Sequence, residues 1–407
     1  MINTIDLFAG CGGLTEGFKQ NGNYNTIACV EWDKVPYDTL LHRFKTKWGY
    51  KDADERILRF DIQRTNELLC GWDDDEYGKS DGLDMLVSKY GGSVDLIVGG
   101  PPCQAYSVAG RVRDENGMKN DYRNYLFEHY IEVVNHYAPK AFIFENVPGM
   151  LSAAPGDGSE RIANRIQKQF SEAGYVIVDN LNDAVVDFTE YGVPQNRKRV
   201  ILLGLSKKIY NSEAMSQLKR FYHEILPMYK ISSVSTVADA ISDLPELYPF
   251  DSPVRINGKQ YSHSLPPNGS VNNHTARYNN SREISLFKLL AEDIQSGRFE
   301  YTSSDALKKL YTSLTGRQSN VHKYYVLRWD EPSNTIPAHL YKDGLRHIHP
   351  DPDQARSITV REAARLQTFP DDYEFISKTA LDYKLIGNAV PPLFAKALAD
   401  ALMQLFQ

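Results

Sequence analysis

Four short apolar runs in the first 150 residues each end in residues that a core does not absorb. TIDLFAG (4–10) ends in glycine and YNTIACVEWD (24–33) in acidic residues. VDLIVGG (94–100) runs into Pro-Pro-Cys, and KAFIFENVPG (140–149) carries a glutamate at its end. A weaker run, ERILRFDI (55–62), closes at Asp61. Segments of helical period separate them: LTEGFKQNG places Leu14 and Phe18 one turn apart with Gly22 as a stop, and YLFEHYIEVVNHY covers 125–137. Strand–helix alternation of this kind predicts an α/β fold: a mostly parallel sheet covered by helices on both faces. In such a sheet the chemistry belongs at the carboxyl ends of the strands.

The alternation continues through GYVIVDNLNDAVVDF (174–188) and RKRVILLGL (197–205). Residues 64–93 are rich in Asp and Gly, including Asp73, Asp74, Asp75 and Glu76, and read as a surface insertion. From about 236 to 350 Pro, Asn, Ser, Tyr and His rise and the alternation fades, as expected of a second, smaller, irregular domain. The last segment, PPLFAKALADALMQLF, puts Leu393, Phe394, Ala397, Leu398, Ala401, Leu402 and Leu405 on one helical face. That face needs a partner, and the sheet of the first domain is the nearest one. The expected domains are therefore 1–235 with 385–407, and 236–384.

Charge divides along the same line. The net charge is -6, yet residues 1–194 hold 19 Lys and Arg against 30 Asp and Glu, while 195–370 hold 24 against 17. A basic later segment suits contact with a polyanion, although chance asymmetry in a long chain gives the same numbers. No run of 18 apolar residues predicts a membrane span, and the N-terminus lacks the features of a secretory signal. The four cysteines, Cys11, Cys29, Cys70 and Cys103, have neither metal-ligand spacing nor a disulfide pattern, so a reducing cytoplasm is the expected compartment. His347 and His349 lack a third ligand nearby, so no metal is expected.

Gly10, Gly12 and Gly13 let the backbone turn tightly and approach a ligand, or simply make a tight turn. Glu31 follows Gly10 by 21 residues, a spacing at which a carboxylate can hold ribose hydroxyls. Trp32 can stack on a purine or fill the core, and Asp61 can accept from an adenine amino group or cap a helix. Together these strand ends point to an adenosine-containing cofactor. Cys103 follows two prolines that stiffen the loop entry. An inert core thiol is the commoner fate of a lone cysteine, but a strand end after Gly-Gly-Pro-Pro suits a nucleophile better. Glu145 sits in an apolar setting that should raise its pKa and let it hold a proton. Arg197 and Arg199 share a side if the chain is extended, ready to steady an acid or bind a phosphate, or to form an ordinary basic edge.

The blocks DLFAGCGGLTEGF, EWD, GGPPCQAYS, ENVPGM, QNRKRV, REAARLQTFPD and GNAVPP, in that order from Asp6 to Pro392, resemble the cytosine-5 DNA methyltransferases. The resemblance implies a Rossmann-like methyltransferase sheet with S-adenosyl-L-methionine as donor. Its cofactor contacts fall on Phe8, Gly10, Gly12, Glu31, Trp32, Asp61, Pro101, Leu126, Asn388 and Ala389. It implies that Cys103 adds to C6 of a cytosine flipped from duplex DNA, that Glu145 engages N3 and the exocyclic amine, and that Arg199, with Arg197 nearby, holds the base carbonyl and positions Glu145. Gln104, Ser107, Arg111 and Arg113 would meet DNA, on a loop with Gly110 and Gly117 as flexible points and Lys119 as a further phosphate contact. The family's usual Phe after Cys-Gln-Ala is here Tyr106. The region 236–384 corresponds by position to target recognition, with Arg277, Arg282, Arg298, Arg317, Lys308 and Lys309 as candidate DNA contacts. The expected protein is a monomeric bacterial or phage modification enzyme with a separately acting restriction endonuclease. A tRNA cytosine-5 methyltransferase and an inactive DNA-binding regulator are the competing expectations.

Overall fold

The computed structural model describes residues 1–102, 125–153, 160–267, 271–320, 322, 324–342 and 344–406. The chain divides into two compact units, one made of 1–191, 197–232 and 389–407, the other of 192–196 and 233–388. The short piece 192–196 thus belongs with the second unit, where Asn196 N–H donates to the Ser333 carbonyl.

In the first unit the described strands are β1 (Ile2–Leu7), β2 (Tyr24–Glu31), β3 (Ile57–Arg59), a small hairpin of β4 (Trp72–Asp74) and β5 (Gly78–Ser80), β6 (Leu96–Gly99), β7 (Ala141–Asn146), β8 (Tyr175–Val176), β9 (Val185–Asp187) and β10 (Lys198–Ser206). The main sheet runs β3-β2-β1-β6-β7-β10-β8, with β9 also on β10. The pairs from β3 to β7 are parallel; β10 is antiparallel to β7, β8 and β9. Ile5, Leu7, Ala28, Val30, Ile97, Val98, Ile143 and Phe144 are all buried. Burial without alternation is what a parallel strand covered on both faces requires. This is the α/β class expected, in its Rossmann-like form.

Register puts the strand ends side by side. Leu7 stands opposite Val30 on one neighbour and Gly99 on the other, and Gly99 stands opposite Phe144. The residues just beyond, Phe8 to Gly10, Glu31, Gly100 and Glu145, therefore share one edge. The antiparallel β10 delivers its beginning to that edge, with Val200 opposite Asn146 and Ile201 opposite Glu145.

Two expectations need correcting. Residues 64–93 are not a surface insertion. They carry helices Thr65–Cys70 and Gly82–Tyr90, whose Leu68, Leu69, Leu83, Leu86 and Val87 are buried. The route from β3 to β6 passes across the sheet and needs apolar cover there; the acidic run Asp73–Glu76 sits on the β4–β5 hairpin between the two helices. The last helix, Pro392–Phe406, buries Phe394, Leu398, Ala401, Leu402 and Leu405, but Leu393 is 41% exposed and Ala395 and Ala399 are buried instead. Small residues are inside because helix Gly13–Asn21 lies close. A Cβ built on Gly17 would come within 2.5 Å of Ala395 Cβ, Lys396 N and Pro392 O.

The second unit is irregular. Helices Ser281–Gln295 and Ser304–Thr315 supply Leu286, Phe287, Leu290 and Leu307 to a core shared with Tyr324, Val326 and Ile348. A buried pair, Arg356 with Glu362 at 2.6 Å, ties the start of helix Val360–Leu366. It also contains one two-stranded ribbon, β11 (Pro249–Ile256) and β12 (Lys259–His263).

Candidate active site

The turn after β1 is built from backbone conformations that few residues accept. Phe8, Gly10 and Gly12 have φ of 59°, 56° and 81°. An aromatic residue at positive φ is strained, and such strain gathers at ligand clamps. The glycines differ in what they face. A Cβ on Gly12 would strike Leu40 at 2.4 Å, and one on Gly13 would strike the Val390 carbonyl at 2.2 Å. One on Gly10 would meet nothing within 4 Å among the described residues. Gly10 therefore borders open space, while its neighbours pack the turn against the protein.

Glu31 closes one side of that space. Its carboxylate accepts from Gly10 N–H and Asp33 N–H, both at 2.8 Å. Burial pushes its pKa up to about 7, although both bonds favour the charged form. Trp32 is not a core aromatic: it is 52% exposed, and its Nε1 donates to Tyr77 Oη at 2.9 Å. Asp61 lies beyond β3 and accepts from Gln63 N–H at 3.0 Å, a local turn rather than a helix cap. An adenosine-type group fits this edge. The open face of Gly10, a carboxylate anchored by its own loop and an exposed indole offer room, a hydroxyl acceptor and a stacking surface.

Across the same edge lies a second cluster. Arg199 Nε donates to Glu145 Oε1 at 3.0 Å, with the two side chains only 15% and 14% exposed. Burial pushes the Glu145 carboxyl above its ordinary range, and Arg199 and Arg197 pull it back only in part. Arg199 Nη1 donates to the Lys198 carbonyl at 2.7 Å. Arg197 is buried and donates to the Ala389 carbonyl at 3.1 Å, linking β10 to the start of the final helix. A Cβ on Gly100 would lie 2.6 Å from Glu145 Oε2, so a larger residue there would push the Glu145 carboxylate aside. Pro101 is buried, and its carbonyl accepts from Asn146 Nδ2 at 3.4 Å.

Leu126 is buried at the start of helix Leu126–Tyr137. Asn388 is exposed at the end of helix Thr379–Asn388 and belongs to the second unit, while Ala389 belongs to the first. Cys103, Gln104, Ser107, Arg111, Arg113 and Lys119 lie outside the described residues. Of the basic residues named for DNA contact, Arg277 has a framework role. Its guanidinium donates to the Leu340 and Tyr341 carbonyls and lies over the Tyr383 ring.

One buried group was missed from sequence. Asp6, inside β1, accepts from Thr15 Oγ1 through Oδ2 while Oδ1 has no partner among the described residues, and burial lifts its pKa to about 7. The signal was a carboxylate at the centre of an otherwise apolar run.

The mostly parallel sheet, with a glycine turn, Glu31 and the Glu145–Arg199 pair at its strand ends, has a Rossmann-like methyltransferase fold. The profile of the C-5 cytosine-specific DNA methylases matches residues 2–404, and the chain belongs to that family. It is similar to the type II methyltransferase M.Bpa9945I of Bacillus paralicheniformis, 33% identical over 98% of each chain. It is also similar to M.DdeI of Desulfomicrobium norvegicum, 30% identical over all of this chain and 89% of the relative. Among solved structures, a DNA modification methyltransferase encoded within an Escherichia coli prophage aligns with a TM-score of 0.61 at 24% identity, covering 100% of this chain and 99% of the other. A methyltransferase of Entamoeba histolytica aligns with 0.56 at 14%, covering 100% and 99%. These two speak for the fold.

Proposed function

We propose that the protein is a DNA (cytosine-5)-methyltransferase that uses S-adenosyl-L-methionine and acts on a cytosine flipped out of duplex DNA. The observation that carries the reading is the Glu145–Arg199 pair, set at the strand edge directly beside the Gly100-Pro101-Pro102 entry to Cys103. When bound, the cofactor supplies an electrophilic methyl group. Phe8, Gly10, Gly12, Glu31, Trp32, Asp61, Pro101, Leu126 and Ala389, with Asn388, are the residues assigned to holding it.

C5 of cytosine is too weak a nucleophile to be methylated directly. Cys103 thiolate is assigned the addition to C6, which moves electron density onto C5. Glu145, whose carboxyl burial shifts toward the protonated form, is assigned to give a proton to N3 and accept from the exocyclic amine. Arg199 holds Glu145 through Nε and the Lys198 carbonyl through Nη1, and Nη2 is assigned to the base carbonyl. C5 takes the methyl group, a base removes the C5 proton, and the S–C6 bond breaks to return the thiolate. Flipping the base costs a few kcal/mol, offset by pocket and backbone contacts. Gln104, Ser107, Arg111 and Arg113 are assigned to the DNA. The type II relatives favour a restriction-modification setting with a separate endonuclease, and work in the cytoplasm as a monomer fits that role.

Incubation with methyl-labelled cofactor and either duplex DNA or tRNA tests this. Label in 5-methylcytosine of DNA is expected. Label on tRNA alone, or on neither, overturns the reading.

A further inference from the structure

We infer that the β11–β12 ribbon is a DNA-reading arm, with Arg255 and Gln260 as specificity-determining residues and Lys259 as a phosphate contact. The inference rests on the proposed action on duplex DNA and adds the element that chooses the site.

The ribbon is folded but has no core. All ten residues from 251 to 260 are exposed, including Val254 and Ile256 at 40% and 37%. Its base, by contrast, is fastened. His263 is buried and bonds the Gln354 carbonyl at 3.0 Å, Ser262 Oγ accepts from Asn279 N–H at 3.0 Å, Ser264 N–H donates to the Tyr248 carbonyl at 2.8 Å and Ser264 Oγ accepts from Tyr248 N–H at 3.0 Å. Asn257 and Gly258, with φ of 49° and 79°, make the two-residue turn that matches strand twist. An isolated hairpin is marginal in water, so an arm held only at its root implies a surface that it meets elsewhere.

Charge and shape select the occupant. Arg255 and Lys259 flank the turn, and neither forms an ion pair among the described residues; Lys259 only lies over the Tyr261 ring at 5.3 Å. Register sets Arg255 directly opposite Gln260, so the two side chains project from the same face. These are residue types that read base edges in the major groove by paired hydrogen bonds, Arg to guanine and Gln to adenine. Among the described residues the Gln260 side chain bonds only Tyr278 Oη, at a long 3.4 Å. From Val254 to the turn the arm extends roughly 10 Å at about 3.3 Å per residue, and a two-stranded ribbon fits a groove about 8.5 Å deep. A second copy of this chain adding strand to strand is disfavoured, because Pro249 and Pro253 interrupt the β11 edge and both cations lie at the tip.

The test begins with bisulfite sequencing of plasmid from a host expressing the full chain, which defines the methylated site. Arg255→Ala and Gln260→Ala are then each expected to change preference at one base pair by about 5- to 150-fold. Lys259→Ala is expected to weaken DNA binding evenly across sequences and to lower the salt slope by about one. Melting temperature and S-adenosylhomocysteine binding should be unchanged in all three, because the side chains touch no core. The Arg255→Ala, Gln260→Ala double variant keeping the parent's rate and site preference overturns the assignment. So does a concentration-dependent dimer of the parent that these changes abolish, which would make the ribbon a self-association surface. A parent that methylates no cytosine removes the functional reading beneath the proposal, and is seen before any variant is made.

Discussion

Arg199 reaches across from β10 to hold Glu145 on β7 at 3.0 Å, pairing residues 54 positions apart where two antiparallel strands meet. Removing the guanidinium leaves a buried carboxyl without its nearest cation. Arg199→Ala should therefore lower single-turnover methylation by about 10²- to 10³-fold, the usual loss when one preorganised donor at a reacting group is removed. It should also move the pH profile of the rate upward, since Glu145 would hold its proton to higher pH. S-adenosylhomocysteine affinity should stay the same. An unchanged pH profile would show that Glu145 does not titrate in the rate-determining step.

Glu31 has a pKa lifted to about 7 and its carboxylate is assigned to ribose hydroxyls. The charged form is the better acceptor, so cofactor affinity should fall about tenfold from about pH 8 to about pH 6. Glu31→Gln should weaken binding by about 1.5–3 kcal/mol at the upper pH and flatten the dependence. Calorimetric titration with S-adenosylhomocysteine across that range is the check.

Asp6 makes the opposite kind of statement, about stability. Its folded pKa of about 7 lies above the ordinary 3.8, so the folded chain keeps a proton that the unfolded chain loses first. Its contribution is present at low pH and is lost as pH rises from about 4 to about 7. Asp6→Asn, which mimics the protonated carboxyl, should become relatively more stable than the parent as pH climbs through that window. Denaturant unfolding at several pH values would show it; a constant difference between the two chains would contradict it.

Gly17 and the final helix test the packing around the cofactor edge. Gly17→Ala forces a methyl group against Ala395, Lys396 N and Pro392 O, all at 2.5 Å. Overpacking of this kind costs about 1–3 kcal/mol. Because the same helix begins beside Ala389, cofactor affinity should fall along with the melting temperature. Thermal melts with and without S-adenosylhomocysteine separate the two effects.

The central strands were legible because their apolar runs end abruptly. Asp6 and Asp95 aside, TIDLFAG and VDLIVGG contain nothing that a two-sided core rejects, and Asp95 sits at the strand's beginning, paired with Lys140 at 2.9 Å. The chemistry of Glu31 and Glu145 was legible for the same reason, since each carboxylate is the first polar residue after such a run. What could not be read is what tertiary contact decides. The acidic cluster Asp73–Glu76 drew attention from the buried Leu83 and Leu86 beside it. Helical period placed Leu393 inward, but the close approach at Gly17 reserves that side for Ala395. The Arg197–Ala389 contact spans 192 positions with no local trace. Arg277 looked like a DNA contact because sequence cannot show that backbone carbonyls already occupy it. The Asn257-Gly258 turn between Ile256 and Lys259 was a readable hairpin signal that the polar texture of its region concealed.

The central claim is a transient bond between Cys103 and a cytosine ring. Duplex DNA carrying 5-fluorocytosine at the methylated position cannot lose the C5 substituent, so the bond should persist once the methyl group has been transferred. Mass spectrometry of the parent with cofactor and this DNA should find the adduct on Cys103, and Cys103→Ser should give neither adduct nor methylation. Full methylation by Cys103→Ser, or an adduct on another residue, would contradict the account.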